Sequence, residues 1–406
     1  MYIYKAAVIG GGAMGSGIAQ VISYAGVPVV IKEVNDELAQ KAYERVKAIY
    51  QRRVDKGKMT PEEMEKKMEL VEVTSSYEDL EDADIVIEAV YENLELKKKI
   101  FAELDEHVQP SAILASNTSA LSITAIASAT KRPEKVIGMH FFNPAHVMKL
   151  VEVIPGLATS DETTDDVVTF SETLRKIPII VRECPGFLVN RVLMAYMNEA
   201  AFALQEGAAT MEEIDKAAVE FGWPMGPFTL IDMLGIDVAY EVAEILYDGY
   251  GERMKPALIL QKMVERKRFG QKSGAGFYVY DQSKEYEPIE KIIEEVQKET
   301  GVKGTKFSMD RLMYAMINEA VLAFQENVAT AADIDMGTLA GLGFPQDKGG
   351  GPLHYADKIG IDVVLEGLKK FTEELGPRFW PAYHLKKMVA AGWLGEKTKK
   401  GFFDYA

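Results

Sequence analysis

Short apolar runs alternate with amphipathic stretches along the first half of the chain. The amphipathic stretches repeat their apolar positions with a helical period, as residues 18–22 do before Gly26. One of them, roughly Asp36 to Leu70, is long and highly charged and is also predicted to be helical. The apolar runs are predicted to be strands: 3–9, 27–31, 83–90, 112–116 and 136–140. This alternation is typical of an α/β domain with a doubly wound sheet.

The second half of the chain is helical and contains two copies of one sequence pattern. Met197–Ala200 recurs as Ile317–Ala320 at an offset of 120 residues, and Gly235–Asp237 recurs as Gly360–Asp362 at an offset of 125. Extra residues around 346–351 account for the difference. Two homologous units commonly pair face to face, as the subunits of a symmetric dimer do. We therefore interpret the second copy as an internal partner of the first.

These patterns divide the chain into domains, and the two helical copies differ at one polar position. Asn190 in the first copy corresponds to Asp310 in the second. An amide can donate a hydrogen bond to a substrate carbonyl, whereas an ionised carboxylate cannot. The first copy is therefore predicted to be functional and the second structural. The predicted domains are an α/β domain over 1–183, the first helical copy over 184–283, a linker with one helix over 284–308, and the second helical copy over 309–406.

Composition and charge argue against several classes of protein. Hydrophobic residues make up 48% and charged residues 27% of the 406 residues, as in soluble globular proteins. No apolar run approaches the roughly 20 residues that a membrane helix needs, and the N-terminus shows no cleavable signal pattern. The single cysteine fits a reducing interior, and the net charge of −16 argues against nucleic acid as the main partner. The histidines and the cysteine lack metal-ligand spacing, so we expect a cytoplasmic protein without a metal site.

The first predicted strand leads into a glycine-rich turn of the form G-x-G-x-x-G. Gly10 permits a tight turn, Gly12 lets the backbone approach a pyrophosphate, and Gly15 allows close packing of helix on strand. The next strand ends in Glu33, 18 residues past the third glycine, where a carboxylate can bond an adenosine ribose diol. This pattern predicts a Rossmann-type dinucleotide site that prefers NAD, although the neighbouring Lys32 leaves NADP open. The candidate cofactor-binding residues are Gly10, Gly11, Gly12, Ala13, Met14, Gly15 and Glu33.

Polar side chains also follow the carboxyl ends of two later strands, the edge at which open α/β sheets bind ligands. His140 ends the fifth predicted strand, and Glu152 follows twelve residues downstream. A histidine can accept a substrate proton near neutrality, with a carboxylate supporting its charged form; the alternative is a packed core histidine. Asn117 to Ser119 follow the fourth strand, either at the site or as a helix N-cap. The basic run 52–58 is either a solvated helix end or a contact for substrate phosphates.

Taken together, these motifs resemble those of the NAD-dependent 3-hydroxyacyl-CoA dehydrogenase family. The whole chain, with its duplicated helical unit, resembles the dehydrogenase portion of multifunctional fatty-oxidation proteins without their enoyl-CoA hydratase part. The resemblance implies a Rossmann-type domain followed by two all-α domains of the family's C-terminal type. The motifs that carry it are the glycine-rich opening, Ser116–Ser119, His140–Pro144, Pro185–Arg191 and Pro224–Phe228.

The resemblance implies that the chain oxidises a 3-hydroxyacyl-CoA to the 3-oxoacyl-CoA with NAD. His140 would be the general base, and Glu152 would orient its ring. Ser119 and Asn190 would bond the substrate oxygens, and Lys56 is the member of the basic run that matches a CoA contact. The further positions that the resemblance places near the dinucleotide are Glu92, Lys97, Asn117 and Lys272.

Two other interpretations stay open at this point. One is a dehydrogenase of the same superfamily that acts on a hydroxy acid or a sugar acid. The other is a non-catalytic dinucleotide-binding protein similar to the lens lambda-crystallins. Beyond these two, a scaffold component that needs a separate enoyl-CoA hydratase or thiolase as its functional partner is also open. If the second helical copy replaces a partner subunit, the chain would be a monomer, and additional interfaces would make it a dimer.

Overall fold

The computed structural model describes residues 2–406 and divides them into two compact units. The first unit extends to Phe187 and the second covers Leu188–Ala406. The predicted boundary at residue 183 lies shortly before this division. No helix among residues 2–406 combines the length and the hydropathy needed to span a membrane.

The described part of the first unit, residues 2–187, contains one sheet of eight strands. They are β1 (Ala6–Ile9), β2 (Val29–Lys32), β3 (Val71–Thr74), β4 (Ile85–Glu88), β5 (Ile113–Ser116), β6 (Val136–Phe141), β7 (Leu150–Pro155) and β8 (Ile177–Ile180). Their order is β3-β2-β1-β4-β5-β6-β7-β8, and only the β6–β7 pair is antiparallel. Strands β1, β2, β4 and β5 are buried along their whole length, which explains their continuous apolar runs. The strand order reverses between β1 and β4, where such sheets bind nucleotides.

Six α-helices accompany this sheet within residues 2–187, and the long helix predicted over 36–70 is divided in two. Gly57 adopts a positive φ of 64° after the first helix, and Thr60 starts the second with a capping box to Glu63. Pro61 fixes the first turn of the second helix. The helices are α1 (Ala13–Tyr24), α2 (Asp36–Asp55), α3 (Pro61–Met68), α4 (Leu94–His107), α5 (Ile123–Ala127) and α6 (Asp161–Thr173).

The helix that follows β5 is capped by a different residue from those considered in the sequence analysis. Helix α5 begins at Ile123, because the side chain of Ser122 accepts a hydrogen bond from the backbone N–H of Ala125 and caps the helix. The alternative role of Asn117 to Ser119 as the N-cap is therefore wrong. These residues form an irregular segment at the carboxyl edge of the sheet instead.

The second unit consists of helices, apart from isolated β-bridges within residues 270–279 and 395–404. Its first five helices are α7 (Val189–Gln205), α8 (Met211–Phe221), α9 (Pro227–Leu234), α10 (Ile236–Tyr250) and α11 (Leu258–Glu265). The linker contains one helix, as predicted, α12 (Ile289–Thr300). The last five repeat the first five: α13 (Met309–Gln325), α14 (Ala331–Leu342), α15 (Pro352–Ile359), α16 (Ile361–Leu375) and α17 (Tyr383–Ala390).

Buried ion pairs join α7 of the first helical copy to α13 of the second. Nε of Arg191 lies 2.6 Å from Glu319, and Nε of Arg311 lies 2.6 Å from Glu199. Both arginines are fully buried. Because each arginine reaches the other copy's glutamate at equivalent positions, the contact has the reciprocity of an isologous dimer interface. Two further pairs, each of 2.7 Å, repeat it: Arg191 with Glu326, and Arg311 with Glu206.

Candidate active site

His140 and Glu152 face each other across β6 and β7, whose antiparallel register makes them direct partners. Nδ1 of His140 lies 2.7 Å from Oε2 of Glu152, and the two side chains are 8% and 0% exposed. Because an ionised carboxylate can only accept a hydrogen bond, Nδ1 carries the proton in the neutral ring and Nε2 has the free lone pair. A general base needs this arrangement.

Two aromatic rings flank the imidazole of His140. The ring centroids of Phe142 and Phe187 lie 4.6 Å and 6.0 Å from that of His140. Phe187 follows Gly186 in a turn where both residues have positive φ, 51° and 72° respectively. The turn thereby directs a buried phenyl ring towards the histidine, which gives the Pro-Gly-Phe motif a physical role. Apolar rings around the His140–Glu152 pair lower the local dielectric and strengthen its hydrogen bond.

Asn117 connects the ends of three strands beside the histidine. Its Oδ1 accepts a hydrogen bond of 2.8 Å from the backbone N–H of Phe141, the residue after His140. Its own backbone N–H donates to the carbonyl of Glu88 at the end of β4. Asn117 therefore holds the strand that carries His140.

The carboxylate of Glu92 accepts several hydrogen bonds from the segment that follows β5. Its Oε1 accepts hydrogen bonds from the Thr118 hydroxyl at 2.5 Å, the Ser119 backbone N–H at 2.9 Å and the Ser119 hydroxyl at 3.3 Å. The side chain of Glu92 is 32% exposed. Sequence reasoning placed Thr118 in this polar segment but gave it no role of its own; it is buried and helps to orient the segment containing Ser119.

Lys97 is buried next to the partly exposed Glu92. Its side chain is 1% exposed, and its Nζ lies 2.6 Å from Glu88 and 3.4 Å from Glu92. Glu88 is fully buried and also accepts hydrogen bonds from the Val90 backbone N–H and the Ser116 hydroxyl. Sequence reasoning missed Glu88, although an acidic residue at the carboxyl end of an apolar strand is a recognisable signal. The buried ammonium group of Lys97 therefore forms an ion pair with Glu92 on its protein-facing side.

The glycine-rich turn has the geometry that a dinucleotide requires. Gly10 adopts a φ of 93°, and a Cβ at Gly15 would lie 1.8 Å from the Gly10 carbonyl oxygen. A Cβ at Gly12, by contrast, would meet no atom within 4 Å. Ala13 and Met14 form the first turn of α1 directly after this open position. The backbone at the α1 N-terminus is therefore accessible to an anionic group such as a pyrophosphate.

Glu33 and Lys32 have different environments at the end of β2. Oε1 of Glu33 accepts a hydrogen bond of 2.6 Å from the Gly11 backbone N–H, whereas Nζ of Lys32 lies 4.1 Å from the ring centroid of Tyr77. The carboxylate thus stands at the glycine-rich turn, which favours a ribose diol over a 2′-phosphate. A cavity of about 190 Å³ adjoins both side chains and is lined further by Tyr77, Val90, Leu96 and Ile100.

The basic run at the end of α2 creates a positive region within the first unit. Lys56 is exposed at the C-cap of α2. Burial lowers the pKa of His146 in the loop between β6 and β7, and the nearby charges of Arg52, Lys176 and Arg53 lower that pKa further. In a chain with a net charge of −16, this region offers a site where substrate phosphates would be attracted.

Two predicted site residues lie in the helical unit. Asn190 occupies the first turn of α7. Lys272 forms an ion pair of 2.7 Å with Asp237, and the second copy repeats it with Lys397 and Asp362 at 2.5 Å. Because the second copy has no nucleotide domain of its own, the repetition supports a structural role for Lys272. Among residues 2–406, no group of three or more His, Cys, Asp or Glu side chains could hold a metal ion.

Family models match almost the whole chain. Residues 5–184 match the NAD binding domain of 3-hydroxyacyl-CoA dehydrogenase. Residues 186–280 and 307–405 both match the C-terminal domain of the same enzyme family. The second model therefore occurs twice, which agrees with the repeat in the sequence and in the helical unit.

Similar proteins of known name and structure agree with these matches. A fatty acid oxidation complex subunit alpha of Psychrobacter arcticus is 40% identical over 403 residues, which are 96% of this chain and 55% of that protein. The chain thus spans about half the length of such relatives. The 3-hydroxybutyryl-CoA dehydrogenase structure of Escherichia coli covers 97% of this chain and 100% of its own, with 31% identity and a TM-score of 0.87. That of Ralstonia eutropha covers 69% and 100%, with 42% identity and a TM-score of 0.68.

Proposed function

The chain belongs to the 3-hydroxyacyl-CoA dehydrogenase family, and on that premise we propose that it oxidises (S)-3-hydroxyacyl-CoA to 3-oxoacyl-CoA with NAD. The observation that supports this reaction most directly is the buried pair of His140 and Glu152. When bound there, NAD would supply the acceptor for the hydride that leaves C3 of the substrate. The first unit is the family's NAD binding domain, and its open glycine-rich turn fits that cofactor.

In the proposed reaction, Nε2 of His140 takes the proton of the 3-hydroxyl group. The C3–H bond breaks with its electron pair, which leaves as hydride, and the C3–O bond becomes a carbonyl. The substrate thus loses one proton and one hydride. Glu152 stabilises the resulting imidazolium, because a carboxylate 2.7 Å from Nδ1 favours the charged ring. In the reverse direction the imidazolium returns the proton to the carbonyl oxygen.

Other residues position the substrate and the catalytic histidine. We assign Ser119 and Asn190 to hydrogen bonds with the substrate oxygens. The three bonds that Glu92 accepts from Thr118 and Ser119 support a fixed place for the serine. Orientation of this kind accelerates a reaction because the groups are already in their reactive arrangement when the substrate binds.

Contacts to the two nucleotide-containing molecules complete the proposal. Glu33 and the turn from Gly10 to Gly15 would hold the adenosine and pyrophosphate of NAD, with Glu92 and Asn117 towards its other end. Lys56 would meet the CoA moiety, in line with the positive region at the end of α2. The internal pairing of the two helical copies supports one active site per chain.

We place the enzyme between a hydratase that forms the 3-hydroxyacyl-CoA and a thiolase that cleaves the 3-oxoacyl-CoA. This order follows from the chemistry of the substrate and of the product. The similarity to subunits of a fatty acid oxidation complex supports it. The chain length of the acyl group is set by the volume of its pocket, so a series of substrates has to define it.

The direct test is reduction of acetoacetyl-CoA, followed by NADH absorbance. The wild-type chain should turn over acetoacetyl-CoA and require its CoA group, with NADH preferred over NADPH. His140→Ala should lower kcat by about 10²–10⁴-fold, since that is the usual contribution of a general base. Binding of NADH, measured by fluorescence titration, should stay unchanged in this variant.

His384→Ala is the matched control, because His384 lies in the second helical copy and has no assigned role in the reaction. It should keep wild-type activity. Full activity of His140→Ala would contradict the assignment of the base. Turnover of free hydroxy or sugar acids without CoA would instead favour the second enzymatic interpretation, and no turnover of any acyl-CoA would favour a non-catalytic protein.

A further inference from the structure

The linker helix α12 covers a surface of the first helical copy. It packs its apolar face inward, with Ile292 and Val296 fully buried. Its glutamates meet basic residues on and beside α11. Nζ of Lys262 lies 3.1 Å from Glu295 and 2.9 Å from Glu299. In the first helical copy, the surface around α11 is therefore covered by an acidic amphipathic helix.

Arg266 and Arg268 extend the same contact towards the start of the linker. Arg266 pairs with Glu287 at 2.8 Å and also with Glu295. Arg268 donates to the carbonyl of Glu287 and is only 4% exposed. Basic residues on α11 and directly after it are thus paired with the linker.

The equivalent surface of the second copy is exposed. We call it the α17 surface and define it by Trp380, Tyr383, Lys386, Lys387 and Trp393. At the offset of 125 residues, Tyr383 corresponds to Leu258, Lys387 to Lys262 and Trp393 to Arg268. Trp380, Tyr383 and Trp393 are 64%, 65% and 42% exposed. Two of the chain's three tryptophans are therefore on this surface. Exposed tryptophan is typical of binding interfaces, so their position indicates that the surface has a partner.

The chain segments that contribute the two surfaces carry the same charges, but the partners of those charges differ. Residues 261–275 and residues 386–400 each contain five Lys or Arg side chains and one Glu. The first set is neutralised in part by the linker glutamates. Among residues 2–406, no carboxylate lies within salt-bridge distance of Lys386 or Lys387. In an acidic chain, this surface is locally basic and apolar at once.

We propose that the α17 surface binds an acidic amphipathic helix of a partner protein, in the manner in which α12 binds the first copy. The helix would lay an apolar face over Tyr383 and Trp393 and direct glutamate or aspartate side chains at Lys386 and Lys387. A second copy of this chain is a poor occupant, because its own α12 is already buried against its first helical copy. This proposal is independent of the catalytic activity.

The test uses a synthetic peptide with the sequence of residues 284–301, acetylated and labelled with a fluorophore. Fluorescence anisotropy should report saturable binding to the full chain, weakening at high salt because the contact is partly ionic. Tyr383→Ala and Lys387→Glu should each weaken binding by about tenfold or more, as expected for an aromatic anchor and for a reversed charge at the centre of an interface. A peptide with lysine at the positions of Glu295 and Glu299 should not bind.

Lys262→Glu in the first copy is the matched control, and Lys47→Glu on the exposed face of α2 controls for net charge. Neither should weaken binding of the peptide. Circular dichroism should confirm that all variants are folded. Absence of saturable binding to the wild-type chain would overturn the proposal. Binding that depends on Lys262 and not on Lys387 would mean that the peptide replaces α12 on the first copy, which would also overturn it.

Discussion

The two helical copies share one framework but differ in their functional positions. Asp232 accepts hydrogen bonds from the backbone N–H groups of Phe277 and Tyr278 and from the hydroxyl of Tyr280. In the second copy Asp357 accepts the same three bonds, from Phe402, Phe403 and Tyr405. A buried carboxylate that closes a chain segment in this way serves folding, so both copies retain it.

The positions that differ lie elsewhere. Asn190 is replaced by Asp310, whose carboxyl pKa is raised by burial. Thr229, which donates to Asp215, is replaced by His354, which pairs with Asp335 at 2.7 Å. The comparison teaches that duplication kept the residues that close the fold and pair the copies, whereas the residue proposed to touch substrate changed.

The largest expected effect concerns the interface that joins the copies. Arg191→Ala and Arg311→Ala should each lower the free energy of unfolding by about 3–5 kcal/mol, because each removes a fully buried arginine from a buried glutamate. The glutamates then keep only the more exposed Arg253 and Arg378 as partners. Urea denaturation would measure it. Lys216→Ala, which removes an exposed pair with Glu220, should change stability by no more than about 0.5 kcal/mol. A large loss in only one of the two arginine variants would contradict an energetically symmetric interface.

Exchanging the residues at the matched polar position tests which copy is functional. Asn190→Asp should lower kcat/KM by about 10²-fold, the usual cost of losing a donor to a developing oxygen charge. Asp310→Asn should leave the activity unchanged. It should also raise stability at neutral pH, since burial of the ionised Asp310 opposes folding there. An equal loss of activity in both variants would mean that the second copy takes part in the reaction.

The two loop lysines provide a smaller test. Lys272→Ala and Lys397→Ala each remove a half-exposed ion pair, so each should cost at most about 1 kcal/mol of stability. We expect the KM for NADH to stay within about twofold in both variants, because the pairs are equivalent and half-exposed. Steady-state kinetics would show a rise in this KM for Lys272→Ala alone if that lysine contacts the cofactor, as the family resemblance implies.

The smallest expected effect is a pH dependence specific to the second copy. The hydrogen bond to Asp335 raises the pKa of His354, so protonated His354 stabilises the fold below pH 6.5 and this contribution is lost as pH rises through the raised pKa. His354→Thr, which copies Thr229 of the first copy, should remove that dependence. Thermal unfolding between about pH 5 and about pH 9 would measure it. An unchanged profile would show that His354 does not titrate in this way.

Much of the site could be predicted because its residues follow strands or turns with strong local patterns. The glycine-rich turn and Glu33 belong to one strand–helix–strand unit, and His140 ends a strand. The break at Gly57 and the cap at Ser122 were also local signals, but they were outweighed by the longer helical periods around them. Glu88 was missed because its partners come from two other segments of the chain.

The α/β unit, the duplication and the residue types of the proposed chemistry can be read from the amino-acid sequence, since they depend on periodicity and on residues close together in the chain. Which polar groups are in contact depends on the folded arrangement of the chain. The register of β6 and β7 places Glu152 directly opposite His140. Folding also buries Lys97 beside Glu92 and pairs Arg191 with Glu319. Such pairings join residues distant in sequence, and their strength comes from burial, which a linear pattern does not specify.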